Sequence, residues 1–306
     1  MIKIEKLTIM FGEQIPVVDQ LSLNIEEGKK TIIIGESGSG KSVTISAILG
    51  ILPQEANVKG SIKLDGKELL SLSEREMNKV RGKEIGYVPQ GGGNSMNPLM
   101  TIGAQIAEPI EIHRKLTKAN AMEKALEWME RVGLHPANKL AKAYPHTLSG
   151  GMRQRALMAM GAAGGARVLL ADEPTKGLDD KCVSQLEELF MRMNSTTILC
   201  VTHDLRFAKK IADNICVMYG GKIVETADSY SFFSNPRHPY SQMLLAALPE
   251  NGLSCPEGYT PQFEKRTGCP FYSRCPKQHS SCMNDINLVR FGKHEVRCCT
   301  DVITAY

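Results

Sequence analysis

The sequence predicts an α/β fold: buried parallel strands alternating with helices, preceded by short antiparallel strands and interrupted by a helical insert. Three observations predict it. A β-branched run, Thr31 to Ile34, leads into a glycine-rich loop and then into the helical stretch SVTISAILGIL, the strand–loop–helix order of a sheet buried on both faces. The run VLLADEP at 168–174 puts Asp172 and Glu173 at the carboxyl end of a second buried strand, where open α/β sheets hold their ligands. Between the two, over 91–163, the pattern turns helical: AQIAEPIEIHRK and TKANAMEKALEWMERVGL repeat apolar residues at intervals of three and four.

Residues 1–90 read as short strands with glycine-containing turns (EEGKK, LDGKE), and MIKIEKLTIM alternates as a strand does. The loop Gly35-Glu36-Ser37-Gly38-Ser39-Gly40-Lys41-Ser42 fits G-x-x-x-x-G-K-S in full. Its glycines let backbone N–H groups wrap phosphates, and Lys41 adds a point charge at the β- and γ-phosphates of a bound nucleotide. The Ser42 hydroxyl is the expected Mg²⁺ ligand. At the end of the second strand, Asp172 is placed to hold Mg²⁺ directly or through water, and Glu173 to accept a proton from an attacking water. Residues 148–155 read LSGGMRQR. Ser149, Gly150 and Gly151 open a helix there, and a helix N-terminus with exposed N–H groups binds phosphate. A plain Ser N-cap followed by two glycines is the other reading of the same residues.

The phosphate loop, LSGGMRQR about a hundred residues later, and the acid-ended strand just after it resemble the ATP-binding-cassette (ABC) family over residues 1 to 250. The resemblance implies a P-loop NTPase with a RecA-like core, an antiparallel β subdomain and a helical subdomain at about 91–163. It also implies further site residues. Gln90, ending IGYVPQ, would sense the γ-phosphate, join the Mg²⁺ ligands and contact a transmembrane partner. His203, after TTILCVT, would contact the γ-phosphate. Leu178-Asp179 would cross a dimer interface, and Phe11 would stack on adenine, although an aromatic there also suits a core. There is no internal repeat, so the chain holds one cassette. Two cassettes would then dock head to tail, with ATP between the phosphate loop of one and Ser149–Gly151 of the other.

A narrower resemblance begins at residue 232. FFSNPRHPYSQMLLAALP, Asn97-Pro98 and AYPHTLSGGMRQR are similar to ATPases of the oligopeptide, dipeptide and nickel importers. That implies a second ATPase subunit, with a heterodimer favoured, two transmembrane permease subunits, an indirect substrate-binding protein, and a place on the cytoplasmic face of the membrane. The chain departs from the subfamily at Gly91-Gly92-Gly93, at Lys176-Gly177, and in a helix after Asp179 that looks several residues short.

Composition agrees with one nucleotide-binding domain plus an appendage. The chain has 306 residues, 42% hydrophobic and 23% charged, with a net charge of +4 that is spread out rather than clustered. That balance does not argue for nucleic acid. The longest apolar run, ALMAMGAAGGA at 156–166, is shorter than the ~18 residues a membrane span needs. The start lacks a signal peptide's apolar block. A soluble ABC ATPase acting on nucleic acid or ribosomes is the alternative function. Such proteins carry two cassettes or a long coiled-coil insert.

Residues 251–306 form a Cys-rich extension holding six of the nine cysteines: Cys255, Cys269, Cys275, Cys282, Cys298 and Cys299. The segment is too small to hold itself together without a cross-link or metal. Cys200 and Cys216 are expected to be buried in strands. Zinc prefers two to four residues between paired ligands, whereas the gaps here are five, six and fifteen. Cys-Pro at 269–270 and 275–276 suits iron–sulfur ligation. The subfamily resemblance implies a 4Fe–4S cluster on Cys269, Cys275, Cys282 and Cys298, with Cys299 able to replace Cys298. Zinc and no metal remain as alternatives, as does a redox module to which the ATPase is secondary. The cassette core is expected to close before residue 250.

Overall fold

Alternation along the first strand is broken once, and a bulge accounts for it. The computed structural model describes residues 1–12, 15–91, 95–252 and 267–299. The chain opens with β1 (Ile2–Phe11), β2 (Val18–Ile25), β3 (Lys30–Ile34), α1 (Lys41–Leu49), β4 (Ala56–Leu64) and β5 (Lys67–Glu68). Strand β1 buries Ile2, Ile4, Leu7 and Ile9. The step from Ile4 to Leu7 is three residues because the strand bulges at Glu5–Lys6, where both ladders shift register and Lys6 takes φ +47°. Gly60 of β4 makes the room: a Cβ there would stand 2.6 Å from the Lys6 carbonyl oxygen and 2.7 Å from that of Glu5. The bulge returns the apolar residues to the inner face, which strict alternation would have lost.

The chain divides into two compact units, one of Met1–Glu26, Thr31–Leu70 and His203–Tyr306, the other of Glu27–Lys30 and Ser71–Thr202. The first unit contains the antiparallel order β2-β1-β4-β5. Its later elements are α8 (Leu205–Ile211), β9 (Asn214–Tyr219), β10 (Lys222–Asp228), α9 (Ser229–Ser234), α10 (Pro239–Ala246), β11 (Val289–Phe291) and β12 (His294–Val296). Strand β9 lies parallel to β3 and antiparallel to β10, and β12 continues the sheet on the far side of β10.

The second unit holds three parallel strands, β6 (Ile85–Val88), β7 (Val168–Asp172) and β8 (Thr197–Thr202), paired β6-β7-β8. Every residue of β7 and β8 is buried, which is why both read as unbroken apolar runs. Its helices are α2 (Glu74–Val80), α3 (Ile102–Arg114), α4 (Lys118–Arg131), α5 (Ala137–Leu140), α6 (Gly150–Ala163) and α7 (Asp180–Arg192). The Gly/Ala-rich run at 156–166 begins inside α6, where Ala156 to Ala159, Ala162 and Ala163 are buried. A Cβ on Gly86 would stand 2.2 Å from the Gly161 carbonyl oxygen, and one on Gly161 2.5 Å from that of Tyr87. Two glycines thus bring α6 onto β6 at backbone distance. Among the described residues, no helix is long and apolar enough to cross a membrane.

The extension does not stand by itself. Strand β12 pairs with β10, Val296 is buried, and Phe271 lies 5.2 Å from Tyr219 and 5.4 Å from Tyr240, ring centre to ring centre. Buried Glu225 of β10 accepts the backbone N–H groups of Arg237 (2.9 Å) and His238 (2.8 Å) and pairs with His294 of β12 (3.3 Å). The expectation that the core closes before residue 250 is therefore not met: residues on both sides of that position share one core, because the edge of β10 and the Tyr219–Tyr240 surface supply the apolar cover that the short extension lacks. Cys200 and Cys216 are buried in β8 and β9, as expected.

Candidate active site

The phosphate loop closes on its own lysine. Lys41 is buried, and its Nζ donates to the carbonyl oxygens of Gly35 and Glu36, both at 2.8 Å. The loop can take this path because two of its positions admit no side chain: a Cβ on Gly35 would stand 2.1 Å from the Met218 carbonyl oxygen, and one on Gly40, at φ +100°, 2.6 Å from that of Val17. Gly40 is the N-cap of α1 and has no side chain with which to cap it. Ser42 sits in the first turn of α1, Ser39 is buried, and its carbonyl accepts the Gly221 N–H at 3.2 Å. Phe11 ends β1 with 37% of its surface exposed, so it does not take the core role that was its other reading.

In the second unit the two acids follow the buried strand as expected. Asp172 ends β7 and Glu173 comes next, both buried. Glu173 holds φ +47°, a strained conformation for a residue with a side chain, and its N–H donates to the Val201 carbonyl at 2.9 Å. Burial and then the charge of Asp172 push the Tyr87 phenol up to about 12. The Asp172 carboxylate stands at the carboxyl end of β7, and a carboxylate oxygen is the donor type that Mg²⁺ takes.

Ser149 is the N-cap of α6, its hydroxyl accepting the Met152 N–H at 3.3 Å. A Cβ on Gly150 would meet open space, whereas one on Gly151 would stand 3.0 Å from Cys182 Sγ and 3.7 Å from Leu178. The start of α6 and the start of α7 are thus adjacent. Asp179 caps α7 by accepting the Cys182 N–H at 2.8 Å, and that bond holds its carboxyl below the ordinary range. Arg155 fastens the same corner, donating to Gly133 O at 2.8 Å and to Gln185 Oε1 at 2.9 Å. Gln90 is exposed two residues past β6, and His203 is exposed immediately after β8. Gly91 has φ +80°, while Gly92 and Gly93 lie outside the described residues.

The cysteines of the extension are drawn together from positions far apart in the chain. The Cys269 N–H donates to the Cys282 carbonyl at 2.9 Å, and Cys282 Sγ lies 2.9 Å from Cys299 Sγ. Cys269, Cys282, Cys298 and Cys299 are buried and Cys275 is half-buried. Burial, and then the neighbouring thiols, push Cys269 up to about 11 and Cys282 and Cys298 up to about 12. Among the described residues, no three His, Cys, Asp or Glu side chains close on one point as ligands of a single ion must. Cys255 lies outside the described residues.

Sequence reasoning missed the residues that hold the phosphate loop from the C-terminal part of the chain. The Glu36 N–H donates to Tyr240 Oη at 3.0 Å, and the Glu36 carboxylate pairs with Arg274. Tyr240 falls within the run FFSNPRHPYSQM, but nothing local ties it to residue 36.

Comparison with known proteins decides between the families open to such a site. The family model for ABC transporters matches residues 18–176, and that for the C-terminal region of oligopeptide/dipeptide transporters matches residues 224–282. The chain belongs to the ABC transporter family. The dipeptide transport ATP-binding protein DppD of Escherichia coli is 36% identical over 96% of this chain and 94% of its own. The oligopeptide transport ATP-binding protein AppD of Bacillus subtilis is 38% identical over 88% of this chain and 86% of its own. A dimeric ATP-binding cassette in a post-hydrolysis state bound to ADP and Pi superposes with a TM-score of 0.68 at 28% identity, covering 75% of this chain and 99% of that one. This ABC protein thus has the cassette fold and the ATPase activity that belongs to it.

Proposed function

We propose that this ABC protein is the ATP-hydrolysing subunit of an importer of oligopeptides or dipeptides, with nickel as the second candidate cargo. The observation that carries the ATPase part is Glu173, buried at the end of β7 in a left-handed conformation next to the Asp172 carboxylate. The peptide part rests on the match of residues 224–282 and on the two relatives above. The cassette would span residues 1–250, with its helical subdomain at about 91–163, and the extension 251–306.

In this reading the loop from Gly35 to Ser42 cradles the phosphates, with Lys41 turning its ammonium from the loop's own carbonyls to the β- and γ-oxygens. Phe11 stacks on the base. Ser42, Asp172 and Gln90 would hold Mg²⁺, which would offset charge on the phosphates. Glu173 takes the proton of the attacking water, and His203 contacts the γ-phosphate. Ser149, Gly150, Gly151 and Asp179 serve the site of a second ATPase subunit, favoured to be a different chain. Permease subunits at the cytoplasmic face of the membrane receive the motion through the Gln90 region. A surface suited to that contact follows Gln90: Leu99 is 85% exposed, on a loop braced by buried Gln105, which accepts the Asn97 N–H at 2.9 Å and donates to the Asn97 and Met100 carbonyls at 3.0 Å. Nothing favours the nucleic-acid alternative: the longest described helices of the insert, α3, α4 and α6, run 13, 14 and 14 residues, with no coiled coil among them.

If Ser149 acts across a dimer, Ser149→Arg leaves ATP binding by the single chain unchanged and abolishes ATP-induced dimerisation. Titration calorimetry and sizing with ATP, on a background that cannot hydrolyse, read both. A Ser149→Arg chain that no longer binds ATP contradicts the trans arrangement.

The extension would bind a 4Fe–4S cluster through Cys269, Cys275, Cys282 and either Cys298 or Cys299. Two features support it: buried thiols gathered from three separate stretches of chain, and a donor set that holds its protons until a cation's charge displaces them. The anaerobically purified protein should then be brown, absorb near ~400 nm and contain iron and sulfide. Cys275→Ser should lose the iron and speed hydrogen exchange over residues 267–299. Colourless protein carrying zinc overturns the cluster, and unchanged exchange in iron-free protein overturns its structural role. A redox module would show itself as ATPase activity that changes with the cluster's oxidation state.

A further inference from the structure

We propose that Arg274 of the extension is a positioning residue for ATP: it holds Glu36, and through Glu36 the phosphate loop, in the form that receives the phosphates. The inference rests on the loop being the ATP site of this ABC protein, and not on any metal in the extension.

Glu36 is the second residue of the loop, a position the motif leaves open, and it places a carboxylate beside a site for a polyanion. Left alone, that charge opposes ATP. Arg274 answers it: one terminal nitrogen lies 2.9 Å from Glu36 Oε1 and 3.0 Å from Oε2, and the same nitrogen donates to Tyr219 Oη at 3.2 Å. The guanidinium lies 5.8 Å from the Tyr219 ring centre and 5.9 Å from that of Phe271, with only 8% of its side chain exposed. The guanidinium is thus shielded from water while Glu36 keeps 30% of its side chain exposed, and Arg274 cannot move without disturbing an aromatic cluster. Tyr219 and Tyr240, 4.6 Å apart, belong to that cluster. Tyr240 fixes the Glu36 N–H and Arg274 the Glu36 carboxylate, while the Glu36 carbonyl accepts from Lys41. Backbone and side chain of one loop residue are therefore both set from the C-terminal part of the chain, and its third group touches the lysine that meets the phosphates. A contact that places a charged group, and does not itself react, acts on binding before it acts on turnover.

The test is a double-mutant cycle on the full chain, reading ATP affinity by titration calorimetry and the KM and kcat of the reconstituted transporter. Arg274→Ala should weaken ATP binding ~10-fold or more, with KM rising further than kcat falls, and Arg274→Lys should recover part of the loss. Glu36→Gln should also weaken binding, and the double variant should be no worse than the poorer single one, because both remove the same link. Hydrogen exchange over residues 267–299 reports whether Arg274→Ala keeps the extension in place. If it does not, Glu36→Gln carries the test, since it leaves the extension's own residues intact. Unchanged affinity in a folded Arg274→Ala chain or in Glu36→Gln overturns the proposal, as do losses that simply add.

Discussion

Glu173→Gln is expected to lower steady-state ATP turnover by ~10²–10⁴-fold while leaving ATP binding intact, the usual worth of a positioned general base. The substitution is nearly isosteric, so the buried pocket keeps its shape. What it removes is the carboxylate proposed to accept a proton. The strained backbone at Glu173, φ +47° with its N–H tied to Val201, is unaffected, because glutamine meets the same backbone restriction. The loss therefore falls on kcat. Since ATP still binds and no longer leaves as ADP, the variant should also accumulate as an ATP-bound dimer. ATPase assays of the reconstituted transporter and sizing with ATP check the two parts, and unchanged turnover would remove Glu173 from its role.

Lys41→Ala is expected to weaken ATP binding by ~10–10²-fold, because a hydrogen bond to a charged group contributes about 1.5–3 kcal/mol. Two losses combine. The phosphates lose their ammonium partner, and the carbonyls of Gly35 and Glu36 lose the Nζ that draws them together at 2.8 Å. Arginine is not a substitute, since its planar fork cannot sit in a ring of backbone sized for a point charge. Titration of the purified chain with ATP measures the effect, and thermal unfolding separates it from loss of fold. An affinity within twofold of the parent would mean that Lys41 does not meet the phosphates.

The parts of this protein that sequence reasoning recovered are those whose cause is local. Strands β3, β7 and β8 announce themselves as short runs of buried residues, α6 begins where a serine precedes two glycines, and Lys41 and Asp172 stand where their motifs put them. What escaped has causes far away in the chain. The bulge at Glu5–Lys6 is legible only once Gly60 is known to face it. The pairing of β12 with β10 joins residues about seventy positions apart, and a three-residue strand has too little periodicity to announce itself. The Arg274–Glu36 pair spans 238 positions, and each member taken alone reads as a surface charge. The extension looked independent because its composition lacks a core, and the structure shows that it borrows one.

The split make-up of the first unit sets an order of events during synthesis. Ser71–Thr202 emerges as one continuous stretch and can collapse as soon as it clears the ribosome, whereas the unit holding the phosphate loop draws on chain made before and after it. The loop is translated 238 residues ahead of Arg274, which at ~5–20 residues per second is a wait on the order of ten to fifty seconds. Throughout that interval the nascent loop carries Glu36 without its counter-charge, so the site for ATP is among the last parts of the newborn protein to be completed.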